Sequence, residues 1–321
     1  GTMNDNNSAG GLALAGGEMA GLAWRDAWRI QARQHPWMTG GLVISLAAVL
    51  LLLASGVSDG IAGGGEPLRL AMLGGLAGFG ATALGALAGI TLRKLSARAE
   101  DSLLGFAAGM MLAASSFSLI LPGLAAAKEM TGSGAMGALT VTAGMALGVL
   151  LMLGLDRFTP HEHESTGPCG PGCDRVGKVW LFVLAITLHN LPEGMAIGVS
   201  FAQGDMNVGL PLTSAIAIQD IPEGLAVVMA LRAAGVRAWP AVLMAGASGL
   251  MEPLGALFGA GIAGGLALAY PIGLGLAAGA MIFVVSHEVI PETHRNGHQT
   301  SATVGLMAGF AVMMFLDTAM G

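Results

Sequence analysis

Apolar runs of membrane-spanning length recur along this chain, and polar residues gather in short clusters between and within them. The runs 39–58, 70–92, 102–127 and 130–155 carry no charge, and 179–204, 206–231, 238–286 and 299–316 are apolar except for a few embedded polar groups. A spanning helix needs ~20 such residues. The run 238–286 is too long for one helix, and "AGGLALAYP" (263–271) divides it with a Gly-Gly break and a proline. Nine spans result. The ~10-residue alternating segments of a membrane barrel do not occur, so the pattern predicts an all-α integral membrane protein with nine transmembrane helices.

Composition agrees. Charged residues make up 11% of the chain and hydrophobic ones 54%, against about 25% charged in soluble domains. Fifty-two glycines suit membrane helices that pack through small residues four apart, as at Gly74/Gly78 and Gly85/Gly89. These read as packing seams, and such seams would also suit a homodimer. Charge sets the topology: twelve of the fourteen Lys and Arg fall in alternate loops, beginning with Arg25, Arg29 and Arg33 ahead of the first span. By the positive-inside rule the N-terminus is cytoplasmic, and nine spans put the C-terminus outside. Residues 1–37 then form a partly disordered cytoplasmic segment without a signal-peptide pattern, and 38–58 forms the first span.

Polar residues deep in a span are costly and face a partner or a cavity. Glu193, Asp220, Glu223 and Glu252 lie deep in predicted spans, and every Lys and Arg lies in a loop or at a span end. Buried anions without an internal cation either take protons or meet a cation from outside. Their setting is a repeated pattern, "HNLPEG" at 189–194 and "QDIPEG" at 219–224, thirty positions apart. His189 and Glu193 are i,i+4, as are Gln219 and Glu223, so each pair shares a helix face. Asn190 and Asp220 sit one residue round, and Glu252 lies midway along the next span. Antiparallel neighbours would bring both sets to one depth, enough for two metal ions bridged by Glu193 and Glu223. Pro192 and Pro222 free a carbonyl and bend each helix, a device that lines cavities in transporters. One imidazole with carboxylates and amides suits Zn²⁺, and also Fe²⁺, Mn²⁺ or Cd²⁺; His189 counts against Mg²⁺. The ion is bound as substrate, and no organic cofactor is expected.

At these residues the sequence resembles the ZIP (Zrt/Irt-like) family of metal transporters, in its bacterial branch. The resemblance rests on "HNLPEG", "QDIPEG", "MEPLGA" (251–256) and "SHEVIPETHR" (286–295) and covers 67–321. It implies an eight-helix transport domain with inverted repeats, to which span 38–58 is an N-terminal addition. It also implies a binuclear centre. His189, Glu193, Gln219 and Glu223 would hold one metal, with Ser118 of "SSFSLILPG" nearby. Asn190, Glu193, Gln219, Asp220, Glu223 and Glu252 would hold the other. Members are thought to move ions inward by an elevator-like shift, so the expected partners are divalent metal ions and the lipid bilayer, with no nucleic acid.

Entrance and exit groups follow from position. Asp317, near the outer end of the last span, would attract a divalent ion or simply be a solvated helix-end charge. Met111 is either plain core or a thioether beside the path. His287, Glu288, Glu292 and His294 cluster near the loop 156–178 with Asp156, His161 and His163, and could relay an ion to the cytoplasm or be surface residues. Within that loop "HEHESTGPCGPGC" (161–173) reads as a metal-catching segment or as a polar linker. Two other functions compete. A channel would use weaker multi-site binding, and a metallohydrolase would carry H-E-x-x-H on a helix, which this chain lacks.

Overall fold

The nine predicted spans each coincide with helix. The structure, a computed structural model, describes residues 24–62, 65–91, 96–158, 161–163, 167–169, 178–265 and 268–320. In chain order the helices are α1 (Trp24–Gln34), α2 (Pro36–Ala62), α3 (Glu66–Thr91), α4 (Ala97–Ala114), α5 (Leu121–Thr131), α6 (Gly134–Phe158), α7 (Lys178–Phe201), α8 (Met206–Ala233), α9 (Ala238–Ser248), α10 (Met251–Ala263), α11 (Ala269–Val284), α12 (Ile290–Thr293) and α13 (Gln299–Met320). Eight spans among the described residues are long and apolar enough to cross a membrane, with α4–α5, α9–α10 and α11–α12 each counted as one. Helix α7, which fills the 179–204 run, is a further 24-residue helix.

Three interruptions depart from the plain spans read in the sequence. A π-helical turn, Ser115–Ile120, joins α4 to α5, and a second, Val285–Val289, joins α11 to α12. Each is followed by proline, Pro122 or Pro291, near the start of the next helix. Proline frees a carbonyl one turn back, and the wider π turn accommodates it. The third is a break at Gly249–Leu250 between α9 and α10, which puts Glu252 in the first turn of a half-helix. The backbone hydrogen bonds continue across the break, Leu250 N–H to the Ala247 carbonyl at 3.1 Å and Glu252 N–H to the Gly249 carbonyl at 3.0 Å.

Glycine decides which helices touch. Gly105 and Gly109 of α4 meet the backbone of Ala302 and Leu306 in α13, while Gly305 and Gly309 meet Ser102 and Phe106 in return. Gly144 and Gly148 of α6 make the same reciprocal seam with Gly275 and Gly279 of α11. Helices α7 and α10 are joined through Gly194, Gly198, Gly255 and Gly259. A β-carbon at any of these would strike the neighbouring main chain. These seams are all formed within one chain.

Outside the helices, the 156–178 loop contains a two-stranded antiparallel hairpin, β1 (His161–His163) and β2 (Gly167–Cys169), a small departure from a purely helical reading. The N-terminal segment carries α1, which the apolar pattern did not mark. Gln31 of α1 is buried and donates to the Arg157 carbonyl at 3.3 Å, and Trp28 rests on Phe158 with ring centroids 5.9 Å apart. These contacts place α1 against the end of α6, at the face where the predicted basic loops lie.

Candidate metal centre

Helices α7 and α8 run through their internal prolines and carry the two motifs to one buried place. Ligand oxygens of Glu193, Asp220 and Glu223 lie within 4.8 Å of one another. Glu193 and Asp220 are buried and Glu223 is half-buried. Gln219 Nε2 donates to Glu193 Oε1 at 2.7 Å, holding that carboxylate across the two helices. Among the described residues no Lys or Arg pairs with these groups or with Glu252.

Several buried polar atoms here have no hydrogen-bond partner among protein atoms: Asn190 Nδ2, Glu193 Oε2, Gln219 Oε1, Asp220 Oδ2 and Glu252 Oε2. Buried polar groups are otherwise nearly always paired, so a cluster of oxygens without donors points to a cation. Asp220 Oδ2 and Glu252 Oε2 both face Gly78 of α3. Glu252 Oε1 accepts from Thr82 Oγ1 at 2.7 Å.

His189 is turned to the other side of the cluster. Its Nδ1 lies 3.1 Å from Glu288 Oε2 on the second π turn. His189 and Glu223 line a cavity of about 530 Å³ that also touches Glu100, Asp101, Glu288, Glu292 and Arg295. Its wall includes the starts of α4 and α12 and the end of α8, so it leads from the cluster toward the face of the predicted basic loops.

A scan against protein-family models matches residues 158–317 to the ZIP Zinc transporter family. Zinc transporter ZIPB of Bordetella bronchiseptica is 68% identical over 298 residues, 92% of this chain and 96% of the relative. The chain belongs to the ZIP family. Zinc transporter GufA of Myxococcus xanthus is 42% identical over 241 residues, 75% of this chain and 95% of the relative. The human Zinc transporter ZIP11 is 30% identical over 335 residues, 78% of this chain and 97% of the relative. Membership makes the chain a transporter rather than an enzyme, which disposes of the metallohydrolase alternative.

The remaining sequence-predicted residues of this ZIP protein separate into groups. Ser118 of the first π turn is buried and donates to Asp317 Oδ1 at 2.5 Å. The entrance candidate Asp317 and the metal-site candidate Ser118 are therefore one pair. Met111 is fully buried in the main hydrophobic cluster. The exit cluster divides. Glu288 and Glu292 line the cavity, with Glu292 3.1 Å from Arg295. His287 turns away, its Nε2 4.0 Å from Asp156 Oδ2 and its ring stacked on Phe283 at 5.0 Å. His294 is half-buried just after α12 and does not line the cavity. His161 and His163 form β1, and their side chains lie outside the described residues.

Three contributors were missed in the sequence. Thr82 is a hydroxyl in a Gly/Ala run, one turn after Gly78. Gly78 reads in the sequence only as a seam glycine, and its lack of a side chain makes room for Glu252. Asp101 is buried at the start of α4, accepting from Asn296 at 3.0 Å and lying 2.8 Å from His298 Nδ1.

Proposed function

We propose that this ZIP protein carries divalent transition-metal ions, Zn²⁺ foremost, across a bacterial inner membrane into the cytoplasm. Three relatives of high coverage are named zinc transporters. The observation that carries the reading is the group Glu193, Asp220 and Glu223, with oxygens within 4.8 Å of one another and, among the described residues, no Lys or Arg paired with them.

The ion would be held by His189, Glu193, Gln219 and Glu223 at one position and by Asn190, Asp220 and Glu252 with the shared carboxylates at the other. Mixed oxygen and nitrogen donors on bent helices favour exchange over permanent retention, unlike a closed structural zinc site. Twelve of fourteen basic residues on alternate loops support a cytoplasmic N-terminus and a periplasmic C-terminus. In that orientation the cavity at His189 opens inward, so this conformation is the one that releases the ion.

The test is Zn²⁺ uptake into proteoliposomes holding the purified protein. Saturable uptake is expected from wild type and loss of it from His189→Ala and Glu223→Ala, with both variants still folded. Uptake that survives both changes would reduce the motifs to structural kinks, and non-saturating flux would favour a channel.

A further inference from the structure

Two parts of the chain share a pattern that the metal centre does not use. Helix α6 carries Gly144, Gly148 and Asp156, and helix α13 carries Gly305, Gly309 and Asp317. The spacing is the same in both, and leucine precedes each aspartate. Their packing partners match as well. Helix α11 has Gly275 and Gly279 followed by a five-residue π turn, and α4 has Gly105 and Gly109 followed by a six-residue one. Each π turn is followed by a proline, four residues after His287 in one and four after Ser118 in the other.

The pairing crosses between the halves. Helix α13 lies on α4 and its Asp317 accepts from Ser118 of the first π turn. Helix α6 lies on α11 and its Asp156 faces His287 of the second π turn. The seams show both helix pairs to be parallel. Asn296 and His298 on Asp101 tie the starts of α4 and α13 together at the basic face, so Asp317 stands at the opposite face. Helix α6 ends at the basic face, and Asp156 stands there.

The two contacts are not in the same condition. Ser118 is buried and bonded to Asp317 at 2.5 Å. His287 stands 4.0 Å from Asp156 with its side chain 48% exposed. The tight contact lies at the face away from the cavity mouth, and the loose one at the face the cavity opens to. Inverted repeats exchange roles when a carrier turns from one side to the other.

We propose that Ser118–Asp317 and His287–Asp156 are equivalent latches, one for each side, and that the inner latch closes when the outer one parts. The second π turn also carries Glu288, the partner of His189. Closing the inner latch would therefore act on the turn that touches the metal centre. This rests on the reading of the chain as a carrier, and it concerns conformation in the absence of metal.

The experiment uses the full chain in vesicles, with Cys169→Ser and Cys173→Ser and a reporter, Ala230→Cys, in the cavity wall. Maleimide labelling of the reporter is measured without zinc. Weakening the outer latch with Ser118→Ala or Asp317→Asn should slow labelling, by about tenfold for loss of one hydrogen bond to a charged group. Weakening the inner latch with His287→Ala or Asp156→Asn should leave labelling fast or raise it. Separately, without the reporter, Ser118→Cys/Asp317→Cys and Asp156→Cys/His287→Cys are each bridged by a short thiol cross-linker. With a bis-methanethiosulfonate as the cross-linker, which joins each cysteine through a disulfide, either bridge should stop zinc uptake, and a thiol reductant, by reducing those disulfides, should restore it, which shows the protein still folded. Shifts of labelling in the same direction for both latches, or uptake that continues through either bridge, would overturn the proposal. The proposed carrier reading is tested on its own by uptake in the unmodified protein, so the two can fail separately.

Discussion

His189 Nδ1 lies 3.1 Å from Glu288 Oε2, and the two residues come from helices that the sequence separates by ninety-nine positions. A carboxylate on one imidazole nitrogen fixes the ring and its tautomer and makes the other nitrogen the better ligand. Glu288 would act on the metal through His189, one step removed from it. Glu288→Ala is expected to weaken Zn²⁺ binding about 10–100-fold, measured by competition with a coloured chelator. Glu288→Asp should recover part of that loss. An unchanged affinity in Glu288→Ala would show that His189 needs no orienting partner.

Gly78 is the point where α3 makes room for the Glu252 carboxylate, which the proposed second metal position would use. A β-carbon there would collide with Glu252 Oε2 and come 3.2 Å from Asp220 Oδ2. The Glu252 carboxylate is the end of a flexible side chain, so the helix should tolerate alanine while the carboxylate moves. Gly78→Ala should fold and lose one of two bound zinc ions in equilibrium dialysis. Gly74→Ala, whose β-carbon meets Ile197 and Phe201, is the comparison: a packing change that leaves stoichiometry intact. Equal stoichiometry in both variants would remove Glu252 from the site.

Thr82 Oγ1 gives Glu252 its hydrogen bond at 2.7 Å in a buried setting. Hydrogen bonds to charged groups contribute about 1.5–3 kcal/mol. Thr82→Val keeps the shape and removes the donor, and should weaken the second zinc-binding step by about tenfold or more with the first step unchanged. Thr82→Ser should restore it. Calorimetric titration that shows both steps falling together would make Thr82 a general packing residue.

The spans were legible because membrane insertion demands long apolar runs, and the paired "HNLPEG" and "QDIPEG" were legible because polar residues at that depth have few other uses. What escaped has a physical reason in each case. The two π turns conserve the apolar run and shift only the phase of the helix, so hydropathy passes over them. On the second π turn His287 meets Asp156 while its neighbour Glu288 meets His189, a division no linear cluster could reveal. Ser118 and Asp317 are 199 positions apart, and only the glycine seam between α4 and α13 brings them together. The break at Gly249–Leu250 was hidden because one glycine among fifty-two carries no special signal. Gly78 was visible as a small residue, but the carboxylates that require it come from two other helices.

Metal itself should report on the cluster without any transport assay. An ion that binds the folded state alone stabilises it by RT ln(1 + [L]/Kd), about 2.7 kcal/mol at a hundredfold excess over Kd. Glu193 Oε2, Gln219 Oε1 and Asp220 Oδ2 are buried without donors, and Zn²⁺ would satisfy all three while reducing repulsion among the carboxylates. Zinc is therefore expected to raise the unfolding temperature of the detergent-solubilised protein, and a chelator to reverse the rise. Glu193→Ala should abolish this shift, because it removes the carboxylate that Gln219 holds between the two helices. It should not lower the zinc-free midpoint by as much as a broken core would, since one of the mutually repelling anions is gone. A zinc-dependent rise that persists in Glu193→Ala would place the stabilising ion somewhere other than this centre.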